Sequence, residues 1–165
     1  MLALIAAVMI ATAAVEAPAN LTVPGDAALT LRAEGRGVQI YVCEARSDAP
    51  GGFAWRLKAP RAELVGSAGE NLGRHYAGPT WEGADGGKLV GEAMAHAPSP
   101  DPSAIDWLLL SAKEVNGVGL IGKARFVRRV RTQGGRAPAA GCSSAKVGVE
   151  LDVPYTAQYE FYGAK

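Results

Sequence analysis

The stretch Tyr155-Thr-Ala-Gln-Tyr-Glu-Phe-Tyr162 decides the fold class. Tyr155, Ala157, Tyr159 and Phe161 recur at period two, so in an extended chain they share one face, with Thr156, Gln158 and Glu160 on the other. An aromatic-rich alternation of this kind fits a half-buried strand, whereas a helix repeats its apolar positions every three to four residues. Reading outward, Val147–Val153 (VGVELDV) and Ala124–Thr132 (ARFVRRVRT) are also strand-like. Five shorter apolar segments follow suit: Ala28–Arg32, Val38–Cys43, Phe53–Leu57, Lys88–Glu92 and Ile105–Leu109. Weak helical spacing occurs only over Leu109–Val115, where Asn116-Gly117 could stop a helix. Turn residues crowd the connections at Asp48–Gly52, Asp85–Gly87, Ser99–Ser103 and Gln133–Pro138. This spacing predicts an all-β chain, an antiparallel β-sandwich or small β-barrel of about 8–10 strands with at most one short helix.

Composition narrows the functional classes. With 48% apolar and 20% charged residues the chain can bury a core. Its net charge of +1 gives no general attraction to nucleic acid or to an anionic membrane. Met1–Val15 (MLALIAAVMIATAAV) is apolar except for Thr12 and shorter than the roughly 20 residues of a spanning helix. Small-residue triplets resembling cleavage sites lie at Ala11-Thr12-Ala13 and Val15-Glu16-Ala17. Residues 1–17 therefore read as a signal peptide and 18–165 as a single β-rich domain, secreted or periplasmic, with no membrane insertion after cleavage. Cys43 and Cys142 suit that compartment. They are an even pair outside any C-x-x-C, which predicts one structural disulfide.

Two motif matches fail on context. Gly117-Val-Gly-Leu-Ile-Gly122 spells the dinucleotide turn, but a strand pattern follows it instead of a helix, and the next acidic residue is Glu150. Ser143-Ser-Ala-Lys146 spells S-x-x-K without companion motifs. His75 and His96 are the only histidines, which is too few for a protein-built metal site. His75-Tyr76 offers two haem-ligand types side by side, but neighbours on a strand face opposite ways, so no cofactor is expected.

Gly73–Glu82 (GRHYAGPTWE) is the densest cluster of reactive side chains. Here His75 could serve as general acid or base, Glu82 could orient it or act as a carboxylate catalyst, and Tyr76 and Trp81 could stack on a sugar or aromatic ligand. The plainer reading is a Gly78-Pro79 turn whose flanking aromatics cap a β-core. On the basic strand, period two groups Arg125, Arg129 and Arg131 with Val127, and Arg128 with Phe126 and Val130. The first group reads as a solvated face, or, through Arg129, as a clamp for carboxylate or phosphate. Trp107 reads as core and Asp106 as a surface or turn residue.

Several segments together resemble an uncharacterised secreted domain family shared by bacteria and filamentous fungi. They are Gly37–Cys43 (GVQIYVC), Trp55 with Ala59-Pro60, His75–Trp81 (HYAGPTW), Trp107–Leu110, Arg129–Thr132 with Gly134-Gly135 and Ala137-Pro138, Cys142, and Tyr155–Tyr162. The resemblance implies export and similar size, and supplies no catalytic residues. The arginine run at 125–131 is denser than the family pattern. The expected function is a binding module for a small molecule, glycan or hydrophobic ligand, with Tyr76, Trp81 and Arg129 as contacts. The alternatives are an envelope or extracellular assembly component, which leaves self-association open, and a hydrolase, lyase or isomerase using His75.

Overall fold

A computed structural model describes residues 16–165. The signal peptide expected over residues 1–17 lies almost wholly outside the described residues. Eight antiparallel strands form one closed barrel in sequential order. They are β1 (Ala28–Ala45), β2 (Phe53–Val65), β3 (Asn71–Tyr76), β4 (Thr80–Gly83), β5 (Lys88–Ala97), β6 (Trp107–Val115), β7 (Phe126–Gly134) and β8 (Glu150–Gly163). Among the described residues the only helical pieces are four 3-10 turns of three residues each.

The decisive strand behaves as its alternation predicts. Tyr155, Ala157, Tyr159 and Phe161 are buried inside the barrel, and β8 pairs with β1 from Ala28↔Gly163 to Val42↔Glu150. That pairing closes the ring and settles sandwich against barrel. Closure needs small residues opposite large ones, because the interior is packed at close to crystal density. β1 supplies them. A Cβ built on Gly35 would lie 2.4 Å from the Tyr159 ring, and one on Gly37 would lie 2.1 Å from the Arg61 carbonyl.

Short segments of the sequence merge into long elements. The two early runs are one 18-residue β1. Leu109–Val115, whose spacing suggested a helix, is the second half of β6, paired with β5 and β7. Leu109 and Leu110 are both buried, one against an outer layer and one inside the barrel, which produces the helix-like run of apolar residues. The outer layer is the amino-terminal segment around Ala19–Leu21. Leu21 packs with Trp107, Leu109 and Val130 on the barrel's outside, so Trp107 is core, but not barrel interior.

The predicted disulfide is present between Cys43 and Cys142, with Cα atoms 5.4 Å apart. It ties the long β7–β8 connection to the end of β1.

Candidate functional site

The β3–β4 hairpin is short, and this shapes the open end of the barrel. β3 pairs with β2 only at 62–65, and β4 pairs with β5 only at 88–90. Among the described residues, 53–61 of β2 therefore have no strand neighbour on the β3 side, and β5 beyond Gly91 has none on the β4 side. At this end a pocket of about 490 Å³ is lined by apolar Ala93, Met94, Ala95, Ile105 and Leu108, with Tyr41, His96, Asp106, Arg129 and Arg136 as its polar members. Its size falls within the ordinary range for small-molecule sites, and so does its mainly apolar lining with a few convergent polar groups.

Arg129 enters the pocket because β7 turns the Val127 face inward: Val127 is fully buried and pairs with Phe161, and Arg129 pairs with Tyr159 and Leu108. The expected grouping of Arg129 with Val127 is thus correct and places Arg129 in the interior, whereas Arg125 and Arg131, expected on the same face, are exposed, Arg131 where a register shift after Val130 breaks the alternation. The Arg129 guanidinium is half-buried and held by the Asp106 backbone carbonyl, to which Nε donates at 3.0 Å and Nη2 at 2.7 Å. Arg136 comes from the connection tethered by Cys142. It donates to the Ala104 carbonyl through Nε at 3.1 Å and Nη2 at 2.9 Å, and Nη2 also reaches the Asp106 carboxylate at 3.1 Å. His96 Nδ1 lies 3.4 Å from the other Asp106 oxygen. The Tyr41 hydroxyl donates to the Gly135 carbonyl at 2.6 Å; burial raises its pKa, and the Arg129 and Arg136 charges work against that rise.

Below the pocket the interior becomes aromatic. His75 is 3% exposed, stacks on Trp81 with centroids 4.4 Å apart and planes 11° apart, and meets Tyr159 at 5.1 Å. Its Nδ1–H donates to the Thr80 carbonyl at 2.8 Å, which assigns the neutral tautomer. Burial drives its pKa down to about 3, and the Arg129 charge adds to the effect. The Tyr155 and Tyr159 hydroxyls bond each other at 3.0 Å, and burial raises both.

The barrel wall divides the cluster that the sequence singles out. Trp81 and His75 point inward, whereas Glu82 and Tyr76 point outward. On the outside the Tyr76 hydroxyl donates to Glu82 at 2.6 Å, and Arg74 donates to the same carboxylate at 3.0 Å. These bonds, Tyr76 first, hold Glu82 below the usual carboxylate range. His75 and Glu82 therefore form no acid–base pair. Trp81, 1% exposed, has no face to offer a sugar, and Tyr76 lies on the other side of the wall, so the two do not form one stacking surface. Alternation alone could have shown this, since residues 75 and 81 pair across the hairpin and their neighbours must face the other way.

Sequence reasoning passed over Tyr41, Ile105 and Arg136 as site residues, and read Asp106 as a surface or turn residue or as a carboxylate partner for His75. They are spread from position 41 to position 136 of the chain and meet only through the barrel. Of the three arginines on β7, Arg128 belongs elsewhere: on the outer face it donates to the buried Glu160, with Nη2 2.7 Å from the carboxylate. Glu160 also accepts from Tyr162 at 2.8 Å, Gln158 at 2.7 Å and Arg32 at 3.3 Å. Burial acts to raise its pKa, but the bonds from Arg128 and Tyr162 outweigh that and hold it low.

Among the described residues no three His, Cys, Asp or Glu side chains converge as a metal site, and no helix is long and apolar enough to cross a membrane. The fold and its open end define an eight-stranded antiparallel barrel with one mouth pocket built around an inward-facing arginine. The chain belongs to the family described as "Protein of unknown function (DUF3455)", whose model matches residues 24–163 and so spans all eight strands. No curated protein and no solved structure matches it.

Proposed function

We propose that this protein is an exported binding module that takes a small, largely apolar molecule into the open end of its barrel. The observation that carries this reading is the mouth pocket of about 490 Å³, walled by Ala93, Met94, Ile105 and Leu108 and left accessible by the short β3–β4 hairpin. A hydrophobic ligand suits that wall better than a glycan, because the candidate stacking residue Trp81 is sealed beneath it. Export is supported by the apolar Met1–Val15 segment and by the disulfide, a bond characteristic of oxidising compartments. The enzyme reading loses its His75–Glu82 pair to the barrel wall.

The test is a titration with N-phenyl-1-naphthylamine, a neutral apolar fluorophore. Saturable enhancement with the wild type, and at least a tenfold weaker response when Leu108→Trp fills the pocket, is the expected result. Unchanged binding by the Leu108→Trp variant would overturn the reading. The unpaired edges at 53–61 of β2 and beyond Gly91 of β5, with Leu57 and Met94 exposed, favour the assembly role as a second reading. It expects a sedimentation coefficient that rises with protein concentration, and a constant monomer value would dismiss it.

A further inference from the structure

We infer that the molecule bound at the barrel mouth carries a carboxylate, seated on Arg129 with Arg136 beside it; this rests on the pocket being the binding site. Arg129 is the only arginine inside the barrel, and among the described residues it pairs with no carboxylate. A half-buried cation without a counter-charge is costly to maintain. Here it is also held rigidly, since two of its five N–H groups are committed to the Asp106 carbonyl. The groups packed round it, Tyr41, His75, Tyr155 and Tyr159, are all uncharged near neutral pH, because burial raises the tyrosines and lowers the histidine. None of them neutralises it.

Of the other three N–H groups one is shared with the Tyr159 hydroxyl, a neutral acceptor that brings no counter-charge, which leaves two for a two-oxygen anion. Charge selects the anion further. Arg129 and Arg136 set two positive charges against the single Asp106 carboxylate, which leaves one charge for a ligand to balance. A monoanionic carboxylate balances it; a dianionic phosphate overshoots and meets Asp106. The apolar wall formed by Ile105, Leu108 and Met94 then takes the body of the acid.

The experiment compares decanoate, decyl phosphate and decanol by isothermal titration calorimetry on the intact mature protein, with Arg129→Met, Arg136→Met and Leu108→Trp variants checked for native circular dichroism. The expected result is decanoate binding at least tenfold more tightly than decanol and more tightly than decyl phosphate. Arg129→Met should erase the decanoate advantage while leaving decanol affinity within twofold. Equal binding of decanoate and decanol by the wild type would overturn the carboxylate inference and leave the pocket reading intact. A preference for decyl phosphate would likewise overturn it. Binding of none of the three, or binding that Leu108→Trp does not weaken, would overturn both. Should Arg129→Met fail to fold, Arg136→Met decides: it should lower decanoate affinity severalfold without touching decanol, and no change there would also count against the inference.

Discussion

Acid should destabilise this protein largely through His75, and the size of the effect follows from its burial. In the unfolded chain a histidine takes up a proton near pH 6.5, whereas His75 in the barrel resists protonation down to about 3. Between those values the unfolded state holds the extra proton, so stability rises with pH. The contribution is complete above about 6.5 and is lost as pH falls towards 3. At about 1.4 kcal/mol per pH unit, the loss from pH 6.5 to 4 is about 3 kcal/mol, a large share of the roughly 5–15 kcal/mol that holds a domain folded. Carboxylates held low, Glu82 and Glu160 among them, act in the same direction at the acid end, so the measurement must be a difference. His75→Asn keeps an N–H for the Thr80 carbonyl and removes the titration. Urea unfolding followed by tryptophan fluorescence at pH 7, 5.5 and 4, with the disulfide intact, should find the variant less stable at pH 7, where its stacking on Trp81 is lost. The wild type should then fall more steeply with acid, by about 3 kcal/mol over the interval. Parallel lines would refute the reasoning. Proton NMR gives a direct check, because only two histidines contribute imidazole signals and that of His75 should stay unshifted above pH 4.

Replacing both cysteines with serine opens a crosslink between positions 99 apart, and in the loop-entropy account that costs about 4–5 kcal/mol, readable as a lower urea midpoint. The same change frees the segment that carries Arg136, so decanoate affinity should fall too. Glu160→Gln leaves Arg128 without its anion on the outer face and should cost about 3 kcal/mol, measured by thermal unfolding; a loss below about 0.5 kcal/mol would show that the cluster contributes little. Gly35→Ala drives a methyl group into the Tyr159 ring and should cost about 1–3 kcal/mol with altered near-ultraviolet circular dichroism, whereas an unchanged spectrum would mean that the ring moves aside freely.

Legibility in the sequence varied with how local the signal was. The pleat alternates side chains regardless of what surrounds it, so β8 could be read from Tyr155–Tyr162 alone, and the separation of Arg128 from Arg129 was correct as well, but a register shift after Val130 breaks the alternation before Arg131. Which face is wet depends on what covers it. Over Val127–Val130 both faces of β7 are covered, one by the barrel interior and the other by the segment around Leu21, so the expectation of a solvated face fails for Arg129, whereas Arg125 and Arg131 are exposed. The same double covering makes β6 apolar on both sides and gives Leu109–Val115 its false helical spacing. β3 and β4 escaped as strands because Gly73–Glu82 is mostly turn and pairing residues, and its reactive side chains looked like a cluster until the hairpin sorted them to opposite faces.

The sequence by itself determined an all-β chain of short-range alternation and Gly- and Pro-rich turns, with two cysteines available for one disulfide. These are properties of neighbouring residues and of composition, and they survive without knowledge of partners. Only the tertiary structure decided that β8 closes on β1, that the β3–β4 hairpin stops short of the mouth, and that Tyr41, Ile105, Asp106, Arg129 and Arg136 surround one pocket. Such a site depends on register and on which edges meet, and register is set by the fit of whole faces across strands distant in the chain. The uncompensated charge of Arg129 is visible only there, since a missing partner can be recognised only once every neighbour is in place.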